Sequence, residues 1–336
     1  MTSRAATLLQ PKPRDIGGFT VRRSLPTAEV RSVGPFVFFE HLGPAVFAPG
    51  RGVDVRPHPH IGLATVTWLY DGALDHRDSL GTIQTIRPGA VNWMTAGRGI
   101  SHSERTTPAE RAAGHRIEAI QTWVALPLAH EDQPPAFAHH PAKTLPVLSL
   151  PGVRGTLIAG AAYGLASPVE FPAGICQLTL EADADAEIDL PPMEECCVYV
   201  VSGGAETCGV RIGEAQMLVL PAGGDGRLAM AAGTRVMIAG GDKLDAPRRM
   251  DWNFVASSRE KINDAIAKWR ASAAAGFRDS WFAQPPGETA WIPYPGDPQP
   301  DPPDAAPDAA PHSPADAQSG VRDDVAVASR AEVDYP

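Results

Sequence analysis

Short runs of apolar and β-branched residues, separated by glycine and proline, dominate the pattern along the chain. These runs predict strands at residues 19–23, 30–39, 65–69, 81–86, 90–94, 117–125, 177–180, 197–201, 216–220 and 235–239. Between two of them, Pro88-Gly89 suits the centre of a type II turn, because proline fixes φ and glycine accepts a positive φ. Regularly spaced short strands with such turns predict an all-β sandwich or barrel.

One helix is predicted near the C-terminal end of this β-rich pattern. Ser257 and Glu260 fit a capping box, in which each side chain satisfies a free backbone donor. An apolar stripe at positions i, i+3, i+4 and i+7 follows, formed by Ile262, Ala265, Ile266 and Trp269. A stripe of this kind is typical of a packing face, so we predict a packed helix over residues 257–272.

The length and composition of the chain indicate two domains and a tail. A chain of 336 residues is long for one domain and natural for two. The Pro-, Ala- and His-rich stretch at 130–143 is predicted to connect them, which gives domains at 1–135 and 136–295. Residues 296–336 are rich in Pro, Asp and Ala with almost no aromatic residues, and are predicted to form a disordered acidic tail.

Charge and cysteine usage exclude several classes of protein. The net charge of −10 argues against a nucleic-acid backbone as the direct partner, since phosphate binding needs clustered Lys and Arg. The four cysteines, which include the adjacent Cys196 and Cys197, form no C-x-x-C pair and are predicted to be reduced thiols. No apolar run suits a signal peptide or a membrane span, so a cytoplasmic protein without membrane contact is expected.

Two pairs of polar residues carry the candidate chemistry. His58 and His60 are two positions apart, and His102 and Glu104 repeat that spacing further along the chain. Side chains at i and i+2 of a strand point to the same side. A single His-x-His pair is more often an ordinary pair of surface or core histidines, but two same-face pairs are stronger together. If the strands bring them together, the set suits Fe, Mn, Co, Ni, Cu or Zn and is too rich in nitrogen for Mg or Ca.

The distribution of histidines predicts one metal ion per chain, in the first half. No histidine lies between His140 and His312, and the adjacent Cys196 and Cys197 would point to opposite faces of a strand. For the other histidines we expect ordinary roles. His41 is expected to line a pocket or cap a strand, and His76 to belong to a polar cluster at a strand end. No G-x-S-x-G, P-loop or dinucleotide fingerprint is present.

Several longer segments resemble the pirin family, a branch of the cupin superfamily. They are FFEHLGP at 38–44, PHPHIG at 57–62, WMTAGRGISHSE at 93–104, QTWVALP at 121–127 and NFVASS at 253–258. The resemblance covers roughly residues 15–273. It implies a bicupin, with two stacked double-stranded β-helix (jelly-roll-like) barrels and a C-terminal helix. It also implies one iron ion bound by His58, His60, His102 and Glu104 in the first barrel, and a second barrel without metal.

Two functions are compatible with this resemblance. Some pirins open flavonols such as quercetin with O₂, which predicts an iron-dependent dioxygenase acting on a flavonol or related enol, with Glu104 as general base. Others bind transcription factors or metabolic enzymes, which predicts a metal- or redox-sensing protein with a protein partner. We expect a monomer in either case. A buried, ligand-sized pocket over the metal would favour the enzyme, and a flat, charged, mobile rim would favour the sensor.

Two departures from the family pattern bear on the site. Many pirins have an acidic residue four places after the second histidine, and this chain has Ala64 there. From the sequence, Glu104 is therefore expected to supply the only carboxylate at the metal. The acidic, Pro-rich segment beyond Pro295 is the second departure, because it lies outside the family pattern.

Overall fold

The computed structural model describes residues 6–15, 19–220 and 226–299, and strands dominate it. The first half comprises β1 (Thr7–Leu9), β2 (Pro13–Asp15), β3 (Thr20–Leu25), β4 (Phe36–Phe47), β5 (Asp54–His60), β6 (Leu63–Asp71), β7 (Leu74–Asp78), β8 (Ile83–Ile86), β9 (Val91–Thr95), β10 (Ile100–Thr106), helix α1 (Pro108–Ala113), β11 (His115–Ala125) and β12 (Ala136–His140). The second half comprises β13 (Val147–Leu150), β14 (Val153–Ala162), β15 (Leu165–Ala166), β16 (Ile175–Ala182), β17 (Ala186–Asp189), β18 (Glu195–Ser202), β19 (Gly204–Thr207), β20 (Val210–Gly213), β21 (Met217–Val219), β22 (Arg227–Met230), β23 (Arg235–Gly241), β24 (Arg249–Asp251), β25 (Phe254–Ala256) and helix α2 (Arg259–Ala274).

These strands form two barrels, each made of one large and one small antiparallel sheet. In the first barrel the large sheet has the order β12-β9-β6-β11-β4-β3-β2, and the small sheet has the order β5-β10-β7-β8. In the second barrel the large sheet runs β1-β21-β18-β23-β16-β14-β13, and the small sheet runs β17-β22-β19-β20. The predicted all-β bicupin fold is therefore confirmed. Strand β1 comes first in the chain but pairs with β21 of the second barrel.

The two large sheets pack against each other and form the core between the barrels. Phe39 and Trp93 of the first barrel belong to the same buried cluster as Tyr199 and Met237 of the second. The rings of Phe39 and Tyr199 lie 4.8 Å apart. Because this cluster combines side chains from both barrels, burial of apolar surface fixes their relative placement.

Most predicted strands lie on observed ones, and the run at 30–39 shows where the prediction was wrong. Strand β4 begins only at Phe36. Gly34 has φ of +54°, outside the range of an extended strand, and Pro35 has no backbone N–H to donate to a ladder. The apolar pattern of this run reflects burial instead, since Val30 and Val33 are fully buried in the core between the barrels.

Helix α2 confirms the apolar stripe and corrects the predicted cap. The stripe is buried, as expected for a packing face: Ile262, Ala265, Ile266 and Trp269. The N-cap is Ser258, whose Oγ accepts the Lys261 N–H, and the helix begins at Arg259. Ser257 cannot cap it, because its own N–H and hydroxyl both donate to the Glu131 carboxylate. No helix in the described ranges is long and apolar enough to cross a membrane.

Although α2 follows the second barrel in sequence, it packs on the first. Ile266 and Trp269 share an apolar cluster with Val55 and Ile61 of the first barrel. The segment after α2 adds to this contact, since the Ile292 N–H donates to the Pro57 carbonyl at 2.8 Å. The C-terminal part of the chain therefore covers the strand that carries His58 and His60.

The stretch predicted to connect the halves is more structured than expected. Strand β12 lies inside it and pairs with β9 of the first barrel. We therefore propose that the boundary between the domains lies after His140 rather than after residue 135. Of the predicted tail, residues 296–299 are described and the rest lies outside the described residues. Within them, Asp297 accepts two hydrogen bonds from Arg270, each of 2.8 Å.

Candidate metal centre

Three histidines converge inside the first barrel. His58 and His60 project from β5, and His102 lies directly opposite His58 on the neighbouring strand β10. Their ring centroids are 4.3 to 5.0 Å apart. One ring nitrogen from each lies within 4.8 Å of the other two, and no other such group of potential ligands occurs among the described residues. The predicted i, i+2 geometry thus places three imidazoles around one point.

The hydrogen bonds of His58 and His60 direct their Nε2 atoms inward. His58 Nδ1 lies 2.9 Å from the Arg56 carbonyl, and His60 Nδ1 lies 3.0 Å from the Asn253 carbonyl. A carbonyl only accepts, so each Nδ1 carries the proton and donates it. Each Nε2 then holds a free lone pair, which is the form of histidine that binds a metal.

His102 is held in the same tautomer by a chain of two further side chains. His76 Nε2 lies 3.0 Å from a carboxylate oxygen of the fully buried Asp78, so that nitrogen donates. His76 Nδ1 is then an acceptor, and it lies 3.4 Å from His102 Nδ1. His102 Nδ1–H donates to it, which leaves the His102 Nε2 lone pair free, 3.2 Å from His60 Nε2. With His76 in its neutral form, all three inner nitrogens therefore carry free lone pairs.

Burial keeps these imidazoles neutral. Desolvation lowers the pKa of His58 to about 4, with smaller effects from the Arg56 carbonyl and His76. Desolvation also lowers the pKa values of His60 and His102 well below their usual range, and the neighbouring histidines lower them further. A cluster of uncharged imidazoles is suited to a cation, because no proton has to be displaced at neutral pH.

Glu104 faces the same cavity but stands back from the three nitrogens. Its carboxylate accepts hydrogen bonds from Thr67 Oγ1 at 3.2 Å and from Gln121 Nε2 at 3.4 Å. The register of β10 against β5 shifts between His102 and Glu104, so the i, i+2 spacing does not bring Glu104 into the 4.8 Å group. Burial raises the pKa of the Glu104 carboxyl, and His76 and the two hydrogen bonds partly offset this.

The cavity at this site is small and enclosed by aromatic side chains. Its volume is about 30 Å³, and Phe38, Trp123, His58, His60 and Glu104 are among its lining residues. Phe38 stacks on Trp123 with 4.1 Å between ring centroids, and the edge of Trp123 contacts His60 at 5.0 Å. A volume of this size holds a water molecule or a diatomic gas and is far below the roughly 300 Å³ of an ordinary ligand pocket.

The acidic groups around the cavity differ from the expectation based on Ala64. Ala64 packs in the apolar core between the barrels, on the opposite face of β6 from Thr67, so an acid there would not point into the cavity. Glu104 is also not the only carboxylate, because Glu40 of β4 lines the cavity. Glu40 is held by Arg23, whose Nε donates to it at 2.9 Å.

Two other histidines differ from the roles expected of them. His76 was expected in a polar cluster at a strand end, and it does bind Asp78, but it also contacts the candidate ligand His102. The spacing of His76 and Asp78 repeats the i, i+2 pattern, and this spacing could have indicated from the sequence that the two side chains lie together near the site. His41 is buried between the barrels, where it contacts the Tyr199 hydroxyl at 2.9 Å and Glu118 at 3.2 Å.

The donor set fits a transition-metal ion. In the tautomers described above, the Nε2 atoms of His60 and His102 lie 3.2 Å apart, and a bound cation would offset the repulsion between their lone pairs. Three neutral imidazoles, two held by backbone carbonyls and one by a neighbouring histidine, suit iron, copper, nickel or zinc, and the nearby Glu104 could complete such a set.

Two stacked cupin barrels, the first with a three-histidine centre, define the class to which this protein belongs. Within that class, the sequence matches the family described as Pirin over residues 18–124 and the Pirin C-terminal cupin domain over residues 175–275. The chain belongs to the pirin family.

Relatives agree with this assignment over most of their length. A pirin-like protein of Caulobacter vibrioides is 43% identical over 263 residues, covering 77% of this chain and 90% of the relative. The pirin of Rattus norvegicus is 31% identical over 270 residues, which cover 77% and 89% of the two chains. A crystal structure of quercetin 2,3-dioxygenase from Acinetobacter baumannii has a TM-score of 0.80 and 32% identity, covering 88% of this chain and 96% of that one.

Proposed function

We propose that His58, His60, His102 and Glu104 bind one iron ion per chain. The convergence of three Nε2 lone pairs in a buried cavity is the observation that carries this proposal. Glu104 would reach the ion by giving up its hydrogen bonds to Thr67 and Gln121. Other divalent transition metals suit the same donors, and metal analysis of the purified protein distinguishes them.

We further propose that the protein is an iron-dependent dioxygenase that opens a flavonol or a related enol. The similarity to a protein named quercetin 2,3-dioxygenase over 96% of its chain supports this proposal. A bound iron ion would supply Lewis acidity towards the substrate hydroxyl and one-electron chemistry towards O₂. Glu104 would remove the hydroxyl proton, because burial raises its pKa and makes it a stronger base than an exposed carboxylate.

The size of the cavity sets a condition on this reaction. A flavonol does not fit in about 30 Å³, so the aromatic wall would have to open to admit it. Phe38 is the side chain best placed to move, because it lines both the metal cavity and a larger cavity beside it. Trp123 is held more firmly, since it packs against both Phe38 and His60.

The proposed reaction predicts specific products and specific effects of substitutions at the site. Iron-loaded protein mixed with quercetin in air should consume the flavonol absorbance band and release carbon monoxide. Glu104→Gln keeps the size of the side chain but removes the base, so it should retain part of the metal and lose most of the turnover. His58→Ala should lose both. Equal rates in the wild type, in Glu104→Gln and in a chelated control would rule out the dioxygenase.

A metal- or redox-sensing regulatory protein is the second candidate. The small cavity is the observation that favours it, since O₂ or water could reach the ion where a flavonol could not. The similarity to a mammalian pirin is consistent with this role. Pull-down experiments with oxidised and reduced protein would test it, and a partner that binds only one form would be the supporting result.

A further inference from the structure

A cavity of about 520 Å³ lies between the two barrels, outside the metal centre. Strands β2, β3 and β4 of the first barrel form one wall of this inter-barrel cavity. Residues 243–250, which follow β23 of the second barrel, form the opposite wall. Its volume lies within the roughly 300–1,000 Å³ of small-molecule sites, and such sites are common between domains.

The lining of the inter-barrel cavity is strongly positive. Six cationic side chains contribute to it, namely Arg14, Arg23, Arg31, Lys243, Arg248 and Arg249. Only two carboxylates, Glu195 and Asp245, lie among the lining residues. Glu40 and Glu194, which lie outside the lining, pair with Arg23 and Lys243 and reduce the surplus around the cavity from four positive groups to two, in a chain whose net charge is −10. A concave surface lined by one sign of charge concentrates the opposite sign of ligand.

Arg248 gives this cavity a fixed, buried cation. Its side chain is only 2% exposed, and its guanidinium donates to the Leu126 and Ala246 carbonyls and to Asp245. The Nε atom is buried and has no hydrogen-bond partner in the described part of the chain. This atom is closed to solvent, so Arg248 acts on an occupant of the cavity through its positive charge rather than through this donor.

The rest of the lining is apolar and aromatic. Phe38, Met250, Trp252 and Val255 line the cavity beside the cationic groups. The Arg23 guanidinium lies over the Phe38 ring at 4.7 Å from its centroid, so a cationic group and an aromatic group meet on this wall. A purely electrostatic site for an inorganic ion would not need this apolar surface. A ligand with an anionic head and a flat apolar body would use both parts of the lining.

We propose that the inter-barrel cavity binds a small organic anion, a carboxylate or a phosphate monoester with an apolar, planar body. Its anionic group pairs with Arg248, Arg249 and Lys243, and its body packs on Trp252 and Met250. This site is separate from the candidate metal ligands and does not depend on bound metal. Phe38 lines both cavities, so an occupant of one cavity touches a side chain that closes the other.

Titration calorimetry with matched probes tests the proposal. The probes are 2-naphthoate, 2-naphthyl phosphate and the neutral 2-naphthamide, which share one planar ring system. At least one anion should bind with one-to-one stoichiometry and at least tenfold more tightly than the amide. Comparison of the two anions then shows whether a carboxylate or a phosphate is preferred. Equal binding of anions and amide, or no saturable binding of either anion, would overturn the proposal.

Variants locate the binding in this cavity. Lys243→Gln/Arg249→Gln should weaken anion binding at least tenfold. The control Arg211→Gln/Arg227→Gln removes the same charge from exposed positions of the second barrel and should bind like wild type. Ala246→Phe should fill the cavity and abolish binding of every probe. Wild-type protein from which a chelator has removed the metal should bind the anions normally. Equal losses in the two charge variants, or unchanged binding in Ala246→Phe, would place the probe elsewhere and refute the site.

Discussion

The two barrels share one architecture and differ in what fills their interiors. Between the sheets of the first barrel lie imidazoles, a carboxylate and an amide, contributed by His58, His60, His102, Glu104 and Gln121. Between the sheets of the second lie apolar side chains that are fully buried, among them Leu178, Val198, Leu228 and Ile238. The same strand layout thus encloses either a small cavity that holds polar side chains or a packed apolar core, and the inward-facing residues decide which.

This difference separates stability from chemistry. Buried polar groups cost free energy unless they are paired, so the first barrel gives up some stability for its reactive interior. The second barrel has no histidine, and its cysteines are poor metal ligands. Burial raises the pKa of Cys176 to about 12 and that of Cys196 well above its usual range, so both thiols stay protonated at neutral pH. Metal binding is therefore expected in the first barrel.

The largest expected effect comes from removing the imidazoles. His58→Ala/His60→Ala should reduce bound metal from about one equivalent per chain towards zero, and melting temperature should fall because a ligand of the folded state adds stability by mass action. Elemental analysis and thermal unfolding measure both. His140→Ala, in partly exposed β12, is the control and should keep its metal. Full metal retention in the double variant would contradict the assignment of His58 and His60 as metal ligands.

The matching experiment in the second barrel should have the opposite outcome. Leu178→Ala should destabilise the protein by about 2–5 kcal/mol, because it leaves a cavity in a packed interior, while metal content stays unchanged. Chemical denaturation and metal analysis measure the two quantities. Val147→Ala, at a position that is 71% exposed, should change neither. A large loss of metal in folded Leu178→Ala would show that the barrels are coupled.

A smaller effect is expected from the groups that orient the ligands. Asp78→Asn keeps the carbonyl oxygen that accepts the Leu80 and Thr82 N–H groups, but it replaces the oxygen that accepts from His76. Because Asp78 acts on the ligand His102 only through His76, we expect metal affinity to fall by less than the about 10–100-fold that is typical when the direct partner of a metal-ligating histidine is altered. Competition with a chelator measures it. Asp75→Asn is the control, and an equal loss there would contradict a specific role for Asp78.

The fold and the three histidines could be predicted from the sequence because both depend on local patterns. Strands can be predicted from local sequence patterns, namely alternating apolar residues and turn dipeptides such as Pro88-Gly89. The glycine of this dipeptide has φ of +83°. The three histidines were predictable because i and i+2 positions share a face of a strand. The relation between His58 and His102 needed the pairing of β5 with β10, which the family resemblance implied and local patterns alone could not.

The features that could not be predicted from the sequence depend on contacts between residues that are far apart in the chain. The register shift beside Glu104 is invisible in the sequence, so the four predicted ligands looked equivalent although one stands apart. Ala64 stands where many pirins have an acidic residue, which suggested a missing metal ligand. Only the packing shows that this position faces the core between the barrels. The inter-barrel cavity is lined by residues that are far apart in the chain, and no local sequence pattern predicts that Arg14 and Arg248 line the same cavity.

The smallest effect is expected from shortening the chain at its C-terminal segment. Deletion of residues 300–336 should leave melting temperature and metal content nearly unchanged, because an acidic, Pro-rich sequence has little apolar surface to bury. A deletion that starts at residue 296 also removes the partner of Arg270, an ion pair whose side chains are 51% and 26% exposed. Exposed pairs contribute about 0–1 kcal/mol, so the second truncation should cost slightly more than the first. Thermal unfolding of both truncations measures the difference. A loss of many degrees on deleting 300–336 alone would show that this segment packs against one of the barrels.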